Sequence, residues 1–160
     1  MSTLNSHALH AQAQETEGNR QFSTFYVGDL FFGIEVLKVQ EVLRYLEMTG
    51  VPLAPEVIKG LINLRGQIVT AVDMRRKLGL PKRPDDETPM NMVVRSDDGP
   101  VSLLVDEIGD VVDVTAATYE RAPDNVPQHQ REMIEGVYKL DGRLMLVLNT
   151  ELVLQSKAVN

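Results

Sequence analysis

Residues 58–74 read I-K-G-L-I-N-L-R-G-Q-I-V-T-A-V-D-M, and residues 134–150 read I-E-G-V-Y-K-L-D-G-R-L-M-L-V-L-N-T, so the chain carries two similar segments. An alignment without gaps pairs apolar residues with apolar residues and places glycines at the same points in both. Each segment has the pattern of a strand, a tight glycine turn and a returning strand. The identical pairs are Ile58/Ile134, Gly60/Gly136, Leu64/Leu140 and Gly66/Gly142.

A weaker similarity lies upstream of each segment. Residues 33–36 (G-I-E-V) align with residues 102–105 (S-L-L-V), and the residues after them pair as Val39/Ile108, Glu41/Asp110 and Val42/Val111. Glycine turns between apolar strands are common, so either similarity alone is compatible with chance. Because both occur in the same order, we favour a duplicated half-domain. Each half is too small to be very stable alone, so the halves should pack together and leave a groove for partner segments.

The rest of the chain extends this pattern. Short strands rich in Val, Ile, Leu, Phe and Tyr, separated by turn signals, predict a mainly β chain. Residues 1–18 have little to bury and are expected to be a flexible tail, and residues 157–160 a short second tail. The folded domain is expected over residues 19–156, with halves at 20–85 and 88–150 whose ends are free to exchange. Helical spacing is brief and occurs at Val39, Val42 and Leu43, at Met74, Lys77 and Leu78, and at residues 150–154.

Composition argues against several classes of function. The 160 residues carry a formal net charge of -7, so the backbone of a nucleic acid would be repelled, and no nucleic-acid partner is expected. The basic pair Lys82 and Arg83 is followed by acidic residues and is interpreted as a solvated loop. Cysteine is absent, which excludes disulfides and thiolate chemistry. The sequence has neither a secretory apolar region nor a stretch of membrane length, so we expect a soluble, cytoplasmic protein.

Motifs of catalysis are missing from the sequence. No phosphate loop, dinucleotide fingerprint, nucleophile elbow or zinc-binding helix occurs, and His129 has no partner constellation near it. Carboxylates interleaved with apolar residues over residues 106–114 favour a strand with one solvated face over a metal site. No enzyme activity, metal or cofactor is therefore expected, although a small enzyme of unrecognised type stays open as an alternative. Val39, Ile108 and Val111, beside Glu41 and Asp110, are either core or paired apolar patches with acidic rims.

Four segments of the chain resemble the CheW family. They are G-I-E-V-L-K-V-Q-E at 33–41, I-K-G-L-I-N-L-R-G-Q-I-V at 58–69, V-D at 72–73 and V-D-E-I-G-D-V at 105–111. The similarity covers nearly all of residues 22–154, with a departure at Thr70, where the family often has proline. It implies two SH3-like five-stranded β-barrels packed side by side, with short accessory helices.

The same resemblance implies a function and its partners. It indicates a non-enzymatic scaffold that couples the cytoplasmic tips of methyl-accepting chemoreceptors to the regulatory domain of the histidine kinase CheA, recruited to membrane receptor arrays. An adaptor of another receptor-kinase array, controlling pilus motility or a second messenger, is the alternative.

Functional residues carry over from the family by position. The kinase contacts map to the strand at residues 90–94, where docking would cover exposed apolar side chains of Met90, Met92, Val93 and Val94. Arg65 aligns with Asp141 in the repeat, so its role is specific to the first half. It is either an ion pair or carbonyl clamp that orients the groove, or a direct receptor contact. The receptor contacts map to Val39, Glu41, Gly60, Arg65, Ile108 and Val111.

Overall fold

The computed structural model describes residues 19–155, and both expected tails lie outside the described residues. Its elements are mostly strands, with short helices between some of them. Two 3-10 turns occupy Val36–Lys38 and Ala116–Thr118. The α-helices are α1 (Met74–Lys77), α2 (Gln128–Arg131) and α3 (Thr150–Gln155). The strands are β1 (Asn19–Val27), β2 (Leu30–Glu35), β3 (Val39–Leu43), β4 (Ile58–Leu64), β5 (Gln67–Asp73), β6 (Met90–Val94), β7 (Val101–Val105), β8 (Glu107–Thr115), β9 (Tyr119–Glu120), β10 (Ile134–Leu140) and β11 (Arg143–Leu148).

The strands form two sheets, and each sheet takes strands from both halves of the sequence. The six-stranded sheet has the order β8-β1-β2-β11-β10-β9, and the five-stranded sheet has the order β3-β6-β7-β5-β4. The β1–β2 hairpin of the first half thus lies between β8 and β11 of the second. The β6–β7 hairpin of the second half lies between β3 and β5 of the first. The halves exchange their first hairpins, so neither sheet is built from one half alone.

The repeated segments form equivalent hairpins. In both hairpins the strand register shifts at the same place, after the first residue of the leading strand. The two segments with matching glycine and apolar positions therefore fold in the same way. The matching outer pairs are Ile58 with Val72 and Ile134 with Leu148, and the pairs next to the turns are Leu64 with Gln67 and Leu140 with Arg143.

The brief helical patterns have mixed outcomes. Helix α1 is confirmed, and the Asp73 carboxylate caps it by accepting from the main-chain N–H groups of Arg75 and Arg76. The helix at residues 150–154 is also confirmed. The helix expected around Val39 and Val42 is wrong, because these residues lie in β3. One extra residue in that strand places Val39 and Val42 on one face, which mimics helical spacing.

The main hydrophobic core belongs to both sheets. It contains Phe25 and Phe32 from the six-stranded sheet and Met92 and Leu103 from the five-stranded sheet, all fully buried. Two smaller clusters form around Phe22 and Tyr138 and around Ile62 and Val93. Because the hairpins are exchanged and the core is shared, the two halves are expected to unfold together.

Candidate partner-binding site

The first candidate edge is β3, which contains a bulge. Val39 pairs with Val94 and Glu41 with Val93, so Gln40 is an extra residue on β3. Paired residues share a face of the sheet, and side chains alternate along β6. Val39 therefore lies on the same face as Val42, which pairs with Met92. Val39 packs against the margin of the main core, whereas the Val42 side chain is exposed.

The second candidate edge is β8, which has a bulge at the corresponding place. Phe25 pairs with Ile108 and Ser23 with Val111, so Gly109 and Asp110 stand opposite a single β1 residue. Ile108 and Val111 therefore share a face, as Val39 and Val42 do. Ile108 packs against the main core, but Val111 is 58% exposed. Each edge thus presents one apolar residue that supports the core and one that is available to a partner.

Arg65 and Glu41 are brought together by the structure. Two guanidinium nitrogens of Arg65 donate to the two carboxylate oxygens of Glu41, at 2.6 and 2.7 Å. The hydrogen bonds from Arg65 lower the pKa of Glu41 below its ordinary value. The ion pair that was one of the two sequence-based alternatives for Arg65 is therefore present.

The turn that carries Arg65 has an unusual backbone. Arg65 has a φ of 54° and Gly66 a φ of 87°, so both central residues of the β4–β5 turn are left-handed. The Asn63 side-chain oxygen accepts a hydrogen bond from the Gly66 N–H at 2.8 Å, which supports this turn. The turn thereby directs the Arg65 side chain back toward β3.

Gly60 contributes through its backbone. It is buried in β4, and the segment containing Met48 and Thr49 packs closely against it. The Thr49 N–H donates to the Leu61 carbonyl oxygen at 2.9 Å, and the Leu61 N–H donates to the Thr49 carbonyl oxygen at 2.8 Å. A Cβ at position 60 would lie 2.7 Å from the Thr49 carbonyl oxygen. Position 60 therefore requires glycine for packing.

Arg95 is a residue that the sequence did not reveal. Its guanidinium donates to the carbonyl oxygens of Leu37 and Val39, at 2.9 and 2.8 Å. The Arg95 N–H also donates to the Lys38 carbonyl oxygen at 3.0 Å. These bonds fix the start of β3 just before its bulge. No local motif indicates this contact, because it joins residues far apart in the sequence.

The expected kinase-binding strand does not have the exposed apolar surface that was predicted for it. Met92, Val93 and Val94 are fully buried, and Met90 is half-buried. The strand lies between β3 and β7, so its backbone edges are also occupied. The prediction of exposed apolar side chains on β6 is wrong, because both faces of this strand are covered by core clusters.

Asp106 and Arg83 also differ from the sequence interpretation. Asp106 accepts hydrogen bonds from the Gly28 N–H, from Arg75 and from Arg83. The Arg83 side chain is 10% exposed, so it does not belong to a solvated loop. Burial alone would raise the pKa of Asp106, but the hydrogen bonds from Arg75, Gly28 and Arg83 outweigh it and lower the pKa. This network ties the segment before β6 to the β1–β2 turn and the β7–β8 junction.

Other kinds of site receive no support within residues 19–155. Among these residues no three His, Cys, Asp or Glu side chains are grouped so that they could hold a metal ion. His129 is exposed, and its Nε2 lies 2.9 Å from the Leu78 carbonyl oxygen. No helix in this part of the chain is long and apolar enough to cross a membrane.

Comparison with known proteins identifies the family. The sequence model of the family described as CheW-like domain matches residues 21–158, which is most of the chain. The chain belongs to the CheW family. The chemotaxis protein CheW of Klebsiella aerogenes is 33% identical over 145 residues, covering 91% of this chain and 87% of that protein. The CheW protein of Bacillus subtilis is 28% identical over 144 residues, covering 90% of this chain and 92% of its own length.

A solved structure of the CheW family has the same fold. The scaffolding protein TtCheW from Thermoanaerobacter tengcongensis superposes with a TM-score of 0.76 at 23% identity, covering 86% of this chain and 93% of that one. The predicted fold, mainly β with two SH3-like subdomains, is thereby confirmed. Membership of the CheW family makes the chain a coupling scaffold of chemotaxis signalling.

Proposed function

We propose that the protein links the cytoplasmic tips of chemoreceptors to the regulatory domain of the histidine kinase CheA, and that it does so without enzymatic activity. It would act in the cytoplasm, recruited to membrane receptor arrays. Family membership and the chemotaxis names of the relatives support this role. The same names do not favour the alternative, an adaptor for pilus motility or a second messenger.

The observation that carries the proposal is the pair of equivalent bulged edges. Val42 on β3 and Val111 on β8 are exposed, and each follows an acidic residue. Each lies on the same face of its strand as a residue that packs against the shared core. Each edge thus offers an exposed apolar residue beside a charged one, and such a combination suits the amphipathic helix of a receptor tip. Val39 and Ile108 would support these contacts from the core side.

The remaining receptor-site residues would act in different ways. The Arg65–Glu41 ion pair would fix the β3 edge and offer charged groups at its rim. Gly60 would act indirectly, by allowing Met48 and Thr49 to pack closely against β4. The kinase would bind a second surface, separate from the β3 and β8 edges. The buried strand β6 is not that surface.

Reconstitution from purified parts tests the proposal. The full chain would be mixed with a receptor-tip fragment and with the CheA regulatory domain, separately and together, and complexes measured by calorimetry and size exclusion. We expect both binary complexes and a complex of all three. Failure to bind either partner, or displacement of one partner by the other, would contradict the two-surface scaffold. Mass spectrometry of the purified protein for metal or cofactor tests the enzyme alternative.

A further inference from the structure

Thr24 lies in the middle of β1, opposite the bulge in β8. Its side chain is fully buried, and its hydroxyl donates a hydrogen bond to the main-chain carbonyl oxygen of Asp110. Gly109 and Asp110 are the two residues that stand opposite Thr24 where the strand register shifts. The hydroxyl therefore supplies a hydrogen bond at the point where the regular ladder between β1 and β8 is interrupted.

The bulge and the hydroxyl are also fitted to each other in space. A Cβ at position 109 would lie 2.5 Å from Thr24 Oγ1, closer than real Cβ contacts allow. Thr24 can approach the bulge only because Gly109 has no side chain. Close packing against Thr24 therefore explains why glycine occupies the middle of the sequence I-G-D at residues 108–110.

The other half of the repeat has no such hydroxyl. Thr24 pairs with Gly33 and Val93 pairs with Ser102, and Gly33 is equivalent to Ser102, so Val93 is the counterpart of Thr24. Valine has the shape of threonine but cannot donate a hydrogen bond. The two bulges must therefore be held by different contacts.

Charge explains why the contacts differ. In the first half, Glu41 forms its ion pair with Arg65. In the second half the equivalent residues are Asp110 and Asp141, which carry the same charge and cannot form an ion pair. The contact found at this bulge is instead the hydrogen bond from the Thr24 hydroxyl to the Asp110 carbonyl oxygen.

We propose that Thr24 is a positioning residue for the β8 edge: its hydroxyl holds the bulge at Gly109 and Asp110 that turns Ile108 and Val111 to one face. Without the extra residue these two side chains, three positions apart, would point to opposite faces of the strand. The functional part of this inference rests on the proposed binding of receptors at that edge.

The test compares three variants of the full chain. Thr24→Val removes the hydroxyl but keeps the side-chain shape, and Thr24→Ser keeps a hydroxyl. Thr118→Val is the matched control, because the Thr118 hydroxyl donates to the Thr115 carbonyl oxygen away from this bulge. We expect Thr24→Val to weaken binding of a receptor-tip fragment roughly three- to tenfold, the effect of one hydrogen bond. Binding of the CheA regulatory domain should not change, and Thr24→Ser and Thr118→Val should bind receptor like the original protein.

Hydrogen exchange gives a readout that does not depend on any partner. In Thr24→Val, amide exchange should accelerate at residues 109–111 and not across the core. The proposal would be overturned if both the amide exchange at residues 109–111 and the receptor affinity were unchanged. It would also be overturned if Thr24→Val lost binding to the receptor tip, binding to the CheA regulatory domain and overall stability in parallel. If Thr24→Val does not fold, Gly109→Ala takes its place, and slow exchange at the bulge of that variant would also overturn it. If the original protein binds no receptor tip, the proposed function fails, while the exchange result still decides whether the hydroxyl holds the bulge.

Discussion

Arg65 and Glu41 join the two outer strands of the five-stranded sheet. Glu41 lies on β3, at one end of the sheet order, and Arg65 follows β4, at the other end. The Arg65 side chain is 70% exposed and the Glu41 side chain 18% exposed, so the carboxylate is the more enclosed partner. The pair therefore joins the two edges of the five-stranded sheet at its surface.

Substitution of either member of this pair should affect binding more than stability. Exposed ion pairs contribute little to folding, so Arg65→Ala and Glu41→Ala should each lower the melting temperature by no more than a few degrees. Both should weaken receptor-tip binding. If Arg65 acts by orienting Glu41, the double variant should bind no worse than either single variant, as measured by calorimetry. Additive losses would instead indicate that the two residues contact the receptor independently.

Gly60→Ala should lose stability, because its Cβ would press against the Thr49 carbonyl oxygen. The cost of overpacking at such a site is about 1–3 kcal/mol, measurable by urea unfolding. Gly50→Ala is the matched control, since a Cβ at position 50 meets nothing within 4 Å. A Gly60→Ala protein that is as stable as the original but does not bind receptor would contradict the structural role given to Gly60.

The sequence predicted the parts of the fold that depend on local patterns. The β4–β5 and β10–β11 hairpins were predicted because their glycines and apolar residues recur at fixed spacing. Helix α1 was indicated by its spacing, and Asp73 provides its cap. The pairing of Val39 with Ile108 and of Val42 with Val111 was also inferred from the repeat, and their strands are equivalent in the structure.

Contacts between distant segments could not be predicted in the same way. The sequence analysis left the ends of the halves free to exchange, but no pattern marks which hairpins do so, because the exchange of β1–β2 and β6–β7 leaves the sequence of each half unchanged. Apolar residues of β6 read equally well as surface or core, and only the covering of both faces shows Met92 and Val93 to be core. The partners of Arg83 and Arg95 lie in other strands and turns, which local charge patterns do not report.

Asp106→Asn should destabilise the protein by about 2 kcal/mol, because Arg75 and Arg83 would lose their charged partner in a mostly buried position. Urea unfolding at neutral pH measures this, with the exposed Asp98→Asn as control. The pKa of Asp106 in the folded state is lowered from its ordinary value of 3.8. The stability that the ionised carboxylate contributes is therefore complete above pH 3.8 and is lost as the pH falls through the lowered pKa. The difference between variant and original should therefore shrink only in strong acid. A constant difference down to pH 2 would contradict the assignment.

His129→Ala should leave signalling intact, because no catalytic role is proposed for this residue. Its stability should change little, since the buried Gln130 side chain still donates to the same Leu78 carbonyl oxygen at 2.9 Å. Gln130→Ala is the informative comparison and should cost about 1–2 kcal/mol. Complementation of a deletion strain measures function and thermal melting measures stability. A folded His129→Ala protein that cannot restore signalling would show that the scaffold view is incomplete.

Val111→Asp should separate receptor binding from folding. Val111 is 58% exposed, so a carboxylate there remains hydrated in the free protein and the melting temperature should stay near its original value. In a receptor complex the same carboxylate would be desolvated without a partner, which should weaken binding at least about tenfold. Ile108→Asp should instead unfold the protein, because Ile108 packs against the main core. Ile68→Asp is the control, since Ile68 is 61% exposed on β5 and should tolerate the charge without loss of receptor affinity. Equal losses for Val111→Asp and Ile68→Asp would show that added negative charge alone reduces binding, and unchanged affinity of a folded Val111→Asp protein would remove β8 from the receptor site.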